Sequence, residues 1–419
     1  MDDRAILPGI NSALFAVTRT DDPAGGARVT FRWSDGAGSE VEKSFVFKTK
    51  EPLVDAEVRA VDRGRTVTPR LFWGPGLEVE DPEHRSNTYY HSQALVYDGA
   101  VVARYSKGDI DTTISIPGTH GLRWAGLEDQ YFTALLIPAG ARGSVTLAPY
   151  SQSALADPSR RVPEETAEAP SLAMSLPDGK AQLFIGPKNF GLLTSLGHDL
   201  EKAVWFSSFW LIYACAKPVF LALRFVHDHW VANYGAAIIV LTIGLRILLF
   251  PLNQFSMVKM RKTAGEMQRI QPKLKAIQAK YKKSKDAEAR AKMNAETMDL
   301  YKREGVNPFG GVTGCLPLLI QMPILWAFFD VLTATVELRS APFIGWITDL
   351  THPDSYWITP ILMGLSMFVQ QKMTPTANVD PQQQRMMLFM PVIFTVMFGS
   401  LPSGLVLYYF VNNLLGIGQ

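Results

Sequence analysis

The chain has 419 residues, of which 47% are hydrophobic, and its formal net charge is +2. A charge so close to zero argues against nucleic-acid binding by bulk electrostatics. Residues 1–190 alternate polar and apolar side chains, whereas residues 235–419 contain long apolar runs. This asymmetry excludes a single water-soluble globule and a chain that is entirely embedded in a membrane. Cys215 and Cys315 lie in apolar stretches and indicate neither a disulfide framework nor a metal cluster.

Residues 1–190 are predicted to form an antiparallel β-sandwich. Short runs of strand-forming residues alternate with clusters of Gly, Pro, Asp and Asn, which favour turns. The predicted strands are Ala27–Trp33, Lys43–Lys48, Leu95–Tyr97, Gln130–Pro138 and Gly143–Leu147. The segment Ala154–Ala173 is rich in Pro, Glu, Ser and Ala, and it is expected to be a long exposed loop.

The histidines of this domain form no catalytic pattern. His84, His91 and His120 lie far apart, among acidic residues at no fixed spacing. Surface or structural histidines are therefore the simpler interpretation. A membrane-anchored sugar enzyme or sugar-binding protein stays open as an alternative, and as an enzyme it would require the clustered carboxylates or histidines that the sequence does not offer.

Five apolar segments in residues 231–419 suit membrane spans. The first is apolar except for Arg246, and it extends to the roughly 20 residues that a spanning helix needs. The predicted spans lie near residues 235–254, 312–336, 356–372, 386–400 and 403–418. The last three are short for a hydrocarbon layer of about 30 Å, which implies a locally thinned bilayer or a site partly open to water.

Loop charges orient these spans. Ser256–Gly305 carries 14 Lys and Arg residues against six acidic ones, a net charge of +8, which predicts a cytoplasmic location. The segment Ala203–Val226 is ambiguous, because it is nearly apolar and could span, but Lys217-Pro218 interrupts it and its aromatic residues suit a membrane interface. We favour a flat interfacial helix, which places the β domain outside. Because Met1–Asn11 is no signal peptide, an exported β domain requires a signal anchor upstream of it.

The basic segment is predicted to be a helical hairpin over residues 257–304. Met257–Ala279 and Ala287–Tyr301 have apolar residues at helical spacing, and a short polar turn separates them. Its candidate contact residues are Lys273, Lys275, Lys282 and Lys283. Such a hairpin suits RNA, anionic lipid or a partner that binds a basic surface. The alternative is a solvated hairpin whose charges only fix the topology.

Polar residues inside the apolar segments are the sharpest functional signal. Arg246 is costly in hydrocarbon, and such a residue usually faces a water-filled cavity or a partner. Thr242 and Asn253 fall on the same helical face as Arg246. A structural ion pair with Asp330 is the alternative for this arginine. Further polar candidates are Gln321, Gln370, Gln371, Asn412 and Asn413, for which ordinary hydrogen bonds between helices are the alternative.

Methionines are abundant in and around the third and fourth spans. They are Met363, Met367, Met373, Met386, Met387, Met390 and Met397. Flexible thioethers suit a surface that accepts many apolar partners, but they also fill gaps in a helix bundle. Both interpretations stay open at this point.

Several separate motifs resemble the signature of bacterial YidC membrane protein insertases, the Gram-negative type of the YidC/Oxa/Alb family. In the family's order they are Asn307–Gly311, Cys315–Pro323, Val336–Arg339, Pro391–Phe394 and Pro402–Tyr409. Gly186-Pro187-Lys188 resembles the family's junction after its outside domain. The N-terminal third is similar to the periplasmic β-supersandwich of Gram-negative members.

The resemblance implies an α+β membrane protein with three regions. They are a periplasmic β-supersandwich over residues 1–190, an interfacial amphipathic helix over 191–230 and a five-helix insertase core with the hairpin over 231–419. The core is expected to surround a hydrophilic groove that is closed on the outside. The predicted groove residues are Arg246, Thr242, Asn253, Gln321, Tyr408, Tyr409 and Asn412, and the predicted apolar slide for substrates contains Met363, Met367 and Met390.

The resemblance further implies an insertase and chaperone of the bacterial inner membrane that is not an enzyme and needs no cofactor or metal. No phosphate-binding glycine motif is present. The implied partners are nascent membrane proteins, the lipid bilayer and the Sec translocon. The ribosome is a further candidate, although the basic tail of many members does not follow Gln419. A secondary transporter that binds an anionic solute at Arg246 is the alternative function, and it predicts an internal repeat that the sequence does not display.

Overall fold

A computed structural model gives the structure of the chain as two compact units, Met1–Trp205 and Phe206–Gln419. The described residues are 10, 13–22, 25–49, 51–74, 77, 92–118, 121–140, 143–151, 168–207, 209–281, 287–305, 316–373 and 381–419. The predicted change from a β-rich part to a helical part is confirmed. The units divide after Trp205 rather than after residue 190.

The first unit consists mainly of β-strands. Those in the described residues are β1 Ala16–Asp22, β2 Gly26–Ser34, β3 Glu40–Lys48, β4 Leu53–Asp62, β5 Arg65–Val67, β6 Arg70–Trp73, β7 Gln93–Tyr97, β8 Val102–Tyr105, β9 Ile114–Ile116, β10 Trp124–Glu128, β11 Phe132–Pro138, β12 Val145–Ser151, β13 Glu168–Ser175 and β14 Lys180–Pro187. Each of the five predicted strands overlaps one of these. A short helix, α1 Phe190–Leu196, and a 3-10 turn, Leu200–Ala203, follow the last strand.

Two antiparallel sheets enclose the core of this unit. The larger sheet has the order β1-β2-β3-β4-β14-β11-β10-β7-β8 with β5 paired to β4, and the smaller has the order β6-β13-β12-β9. Because side chains alternate along a strand, each sheet presents one apolar face. Ala181 and Leu183 of β14 meet Val145 and Leu172 of the smaller sheet in one buried cluster. The predicted sandwich is therefore confirmed.

The predicted loop Ala154–Ala173 is wrong at its C-terminal end. Residues 168–175 form β13, which lies between β6 and β12. Leu172 and Met174 are completely buried on the core side of this strand. The composition of the segment favours a loop, but burial of these two side chains and pairing on both sides favour the strand. Residues 152–167 lie outside the described part of the chain.

The end of the first unit is fixed by a buried ionic cluster. Lys188 Nζ lies 2.9 Å from Glu128 Oε2, and Arg104 Nε lies 3.3 Å from Glu128 Oε1. The same arginine donates hydrogen bonds to the carbonyl oxygens of Lys202 and Ala203 at 3.3 and 3.2 Å. This network explains why residues 191–205 belong to the β unit.

The second unit is helical in its described residues. Its helices are α2 Trp210–His229, α3 Tyr234–Tyr281, α4 Ala287–Arg303, α5 Leu316–Ala334, α6 Ile358–Met373, α7 Pro381–Phe398 and α8 Ser403–Gly418. Two segments, Trp210–His229 and Tyr234–Lys259, are long and apolar enough to cross a membrane. Shorter apolar segments lie in α5, α7 and α8. The five-span core and the flat placement of the segment before α3 stay predictions.

Helix α3 joins the first predicted span to the predicted hairpin without a break. It runs for 48 residues and includes Pro251 and Pro272 in its interior. Its basic C-terminal half packs against α4. Lys273 Nζ lies 2.5 Å from Glu304 Oε1 and Lys280 Nζ lies 2.6 Å from Glu296 Oε1, so the two helices run antiparallel. Ile270 is buried at their interface.

The start of α8 is held by the loop between α5 and α6, residues 335–357. The first N–H groups of a helix lack partners within the helix. Here the Ser403 N–H donates to the His352 carbonyl at 2.8 Å, and the Gly404 N–H donates to the Leu350 carbonyl at 2.9 Å. Ser403 Oγ donates to the Asp349 carbonyl at 3.0 Å. These bonds attach the N-terminal end of α8 to the loop 335–357.

Candidate functional site

Arg246 lies half-buried on α3 and faces α8. Its Nη1 donates a long hydrogen bond of 3.5 Å to Asn412 Oδ1. Its Nε is buried and has no hydrogen-bond partner. A guanidinium has five N–H donors, and burial without acceptors is costly. The arginine therefore offers donors to a ligand or to water in a largely apolar unit.

Arg246 and Asp330 form no ion pair in the structure. Both residues are described, and Asp330 Oδ2 is buried without a hydrogen-bond partner, as is Arg246 Nε. The alternative interpretation of Arg246 as half of a structural ion pair with Asp330 is therefore wrong.

Tyr408 of α8 contacts two residues of α5, the polar Gln321 and the aromatic Phe328. Gln321 Nε2 donates a hydrogen bond to the Tyr408 hydroxyl. The Tyr408 ring stacks on Phe328, with the ring centres 4.1 Å apart. Tyr409 is half-buried and contacts Phe398 of α7, with 5.2 Å between ring centres. The two tyrosines therefore point to different neighbours.

The predicted polar face of α3 is less continuous than its spacing indicates. Thr242 is 1% exposed, and its hydroxyl donates to the Ile238 carbonyl at 2.6 Å. A threonine that bonds to its own helix offers no free hydroxyl to a groove. Asn253 is half-buried at the other end of the face. Arg246 is thus the main polar group that this face presents to α8.

Helices α6 and α8 are joined by a hydrogen bond between helices, the alternative that the sequence analysis gave for Asn413, although the partner Ser366 was not predicted. Asn413 Nδ2 donates to Ser366 Oγ at 3.4 Å, and Ser366 Oγ donates to the Met363 carbonyl at 2.7 Å. Ser366 is a single small residue in an apolar run, so it gives little signal in a sequence. The contact keeps α6 beside the polar face of α8.

The predicted slide methionines do not share one environment. Met363 is completely buried, which excludes it from an exposed surface, and its inclusion was wrong. Met367 is half-buried, and Met390 is 42% exposed. The exposed apolar residues of α6 and α7 are Ile358, Ile361, Leu362, Leu365, Val369, Met373, Phe389, Met390, Val392, Ile393, Val396 and Met397. β-Branched, aliphatic and aromatic residues therefore provide most of this surface.

The predicted hairpin lysines also differ in their surroundings. Lys273 is paired with Glu304, and this hydrogen bond lowers the pKa of the Glu304 carboxyl. Lys275 is exposed. Lys282 and Lys283 lie outside the described residues, as do His84, His91 and His120 of the β unit. Among the residues that the structure describes, no group of three His, Cys, Asp or Glu could hold a metal ion.

Two family models match the chain, one for each unit. Residues 3–222 match the model described as YidC periplasmic domain, and residues 225–419 match the model described as 60Kd inner membrane protein.

Curated relatives match across both units. A "Membrane protein insertase YidC" from Syntrophus aciditrophicus is 37% identical over 400 residues, which are 94% of this chain and 68% of that protein. Its counterpart from Geotalea uraniireducens is 42% identical over 403 residues, which are 93% and 70% of the two chains. That from Geobacter sulfurreducens is 41% identical over 303 residues, covering 71% of this chain and 52% of the relative. A solved structure, "Active YidC insertase crystal structure with the first transmembrane domain resolved", is 19% identical over 96% of this chain and 82% of its own, with a TM-score of 0.42.

The chain combines a β-sandwich unit with a helical unit that has two segments long and apolar enough to cross a membrane. The sequence matches extend over both units and show which family this is. The chain belongs to the YidC membrane protein insertase family. The resemblance that the sequence motifs indicated is therefore confirmed.

Proposed function

We propose that this chain inserts nascent segments of membrane proteins into the bilayer through a hydrated groove between α3, α5, α6 and α8. The observation that carries the proposal is the state of Arg246, a half-buried cation with one long hydrogen bond and a buried Nε that lacks a partner. Gln321, Tyr408 and Asn412 add polar groups nearby on α5 and α8. These groups suit transient contacts with a passing polar segment.

The mechanism rests on solvation rather than on bond chemistry. A nascent span with a polar flank meets a cost of several kcal/mol when that flank crosses hydrocarbon. A wet groove lowers this cost, because it solvates the flank part of the way across a thinned bilayer. Arg246 attracts acidic flanks through a region of reduced dielectric constant. The apolar segment then leaves sideways into lipid along the exposed faces of α6 and α7.

The proposed topology follows from the charge distribution. The hairpin of α3 and α4, with its surplus of Lys and Arg, faces the cytoplasm. The β unit and the loop 335–357 lie on the periplasmic side of the inner membrane, where the loop and the start of α8 close the groove. We propose nascent membrane proteins as clients, and the Sec translocon and the ribosome as partners. The protein acts as a chaperone for its clients and makes or breaks no covalent bond.

Substitution of Arg246 tests the proposal. One client is prepared with an acidic outside flank and with a neutralised flank, and its insertion is measured for wild type, Arg246→Lys and Arg246→Glu. Lysine keeps the charge but loses the planar donor fork, so most insertion is retained. Glutamate repels the acidic flank, so insertion of the client with the acidic flank should fall most in Arg246→Glu. Equal defects for the two flanks would contradict charge attraction.

A charge swap provides the matched control for a structural role of Arg246. The double variant Arg246→Asp with Asp330→Arg restores an ion pair only where the two residues approach each other. Because the structure does not pair them, the double variant is expected to remain defective. Recovery of both protein level and insertion in the double variant would favour a structural ion pair and argue against the groove.

A further inference from the structure

Gly416, near the end of α8, lies under the ends of two polar side chains from other helices. A Cβ atom placed on Gly416 would lie 2.7 Å from Arg246 Nη2 and 2.4 Å from Gln370 Nε2. Both distances are too short for carbon and nitrogen atoms that are not bonded. The absence of a side chain at this position is therefore what allows the arginine of α3 and the glutamine of α6 to reach the backbone of α8.

The position of Arg246 is fixed by few other groups. Nη1 has the long hydrogen bond to Asn412, one helical turn before Gly416, and Nε has no partner. Dense packing and hydrogen bonds hold a side chain in one rotamer. With only one long hydrogen bond, the guanidinium depends on the shape of the α8 surface for its position. Asn412 and Gly416 provide that surface together.

We infer that Gly416 is a positioning residue, which sets where the Arg246 guanidinium presents its donors to the acidic flank of a client. This inference rests on the proposed function of Arg246.

The atoms that would clash with a Cβ at 416 are the far ends of flexible side chains rather than backbone atoms. Gly416→Ala should therefore leave the fold intact, because alanine favours a helix more than glycine does. It should displace the guanidinium and the Gln370 amide instead.

The chain offers two matched control glycines. Gly418 lies on the same helix two residues later, and Gly244 lies on α3 two residues before Arg246. A Cβ at either position would have no atom within 4 Å outside its own local backbone. Gly→Ala at Gly244, inside α3, has an intrinsic effect on a helix similar to that at Gly416, whereas Gly418 is the last residue of α8; neither change moves a polar side chain. Both control variants are expected to insert clients like wild type.

The experiment measures insertion of the client with acidic and neutral flanks by the full chain in proteoliposomes. Gly416→Ala is expected to lower insertion of the acidic client by about two- to tenfold, the range that the loss or weakening of one hydrogen bond produces. The neutral client should change less, and the protein level should be equal to that of the two control variants. A defect of equal size for both flanks, or a loss of protein, would show a structural role and overturn the inference.

A double-mutant cycle separates this inference from the proposed function. In an Arg246→Ala background, Gly416→Ala should cause no further loss that depends on the flank, because the guanidinium is absent and only the Gln370 amide is left to be displaced. A full additional loss there would overturn the positioning role. If Arg246→Ala alone has no effect that depends on the flank, the proposed function fails. If Arg246→Ala shows that effect but Gly416→Ala behaves like Gly418→Ala, the positioning inference fails and the proposed function stands.

Discussion

The two units contain buried charges in opposite states. In the β unit, Glu128 is 5% exposed and Lys188 is 6% exposed, and Arg104 completes a cluster in which the charges compensate each other. In the helical unit, Arg246 has one long hydrogen bond and an unpartnered Nε. A buried charge with all its partners holds a structure together, whereas one without them leaves binding capacity for a ligand. The comparison therefore distinguishes a compensated buried charge in the β unit from an uncompensated one in the helical unit.

The largest expected effect is a loss of stability in the β unit on Glu128→Gln. This change leaves Lys188 buried without its counter-charge, at a cost of about 3 kcal/mol. Hydrogen exchange of the β10 and β14 amides in the full chain measures the loss. Glu42→Gln is the control, because its ion pair with Arg32 at 3.0 Å is exposed and should contribute little. Equal loss of amide protection in Glu128→Gln and Glu42→Gln would show that burial does not determine how much these ion pairs contribute to stability.

Arg246→Met is expected to lower insertion without lowering stability, in contrast to Glu128→Gln. Methionine keeps an unbranched apolar stem but removes a cation whose donors are mostly unpartnered. Replacing a poorly compensated buried charge by an apolar group is often neutral or stabilising, so the thermal unfolding temperature should not fall. Insertion of a client with an acidic flank should fall by about tenfold, which corresponds to about 1.4 kcal/mol. A fall in unfolding temperature like that of Glu128→Gln would place Arg246 among the structural charges.

Asp349 of the helical unit has a carboxylate that accepts several hydrogen bonds. It tests whether such a charge contributes to stability as the buried charges of the β unit do. Burial alone would raise the pKa of Asp349, but hydrogen bonds from Thr351 and the Ser340 N–H, with His352 nearby, hold it below its usual value. A carboxyl whose pKa is lower in the folded state stabilises the fold above its unfolded pKa, and this contribution disappears as the pH falls through the folded pKa.

Asp349→Asn should therefore destabilise the chain by about 1 kcal/mol at neutral pH. The difference from wild type should stay constant from neutral pH down to about 5 and should shrink at lower pH, because the carboxyl has its usual pKa in the unfolded chain and a lower pKa in the folded chain. Thermal unfolding at several pH values measures it. Asp299→Asn is the control, because its ion pair with Arg303 at 2.7 Å is exposed and should contribute little. A difference between Asp349→Asn and wild type that does not depend on pH would exclude the charge as its cause.

The smallest effect is expected at the surface of the hairpin. Lys273→Gln removes the ion pair between α3 and Glu304, the residue that directly follows α4, and it should increase proteolysis between the two helices slightly. The effect should weaken at high salt concentration, because exposed charges are screened. Lys275→Gln, which changes an exposed lysine on the same helix, should not alter proteolysis. Equal cleavage of the two variants would show that this ion pair does not hold the hairpin.

The sequence predicted most of the local structure and the family. Alternation and turn residues placed strands such as β2 and β3, and apolar runs placed α6 and α8, because both signals depend on neighbouring residues. The cost of a charge in an apolar run singled out Arg246 without knowledge of its surroundings. The motifs between Asn307 and Tyr409 identified the family, which the matches over both units confirm.

Only the tertiary structure decided which distant residues meet. Arg246 lies beside Asn412, 166 positions along the chain, and not beside Asp330. Met363 is buried although neighbouring positions on α6 are exposed, and residues 168–175 form a strand because β6 and β12 lie on either side of them. Glycine at 416 carries no sequence signal, because its role depends on side chains from two other helices. Periodicity fixes which face of a segment is apolar, but the packing of whole elements determines what that face contacts.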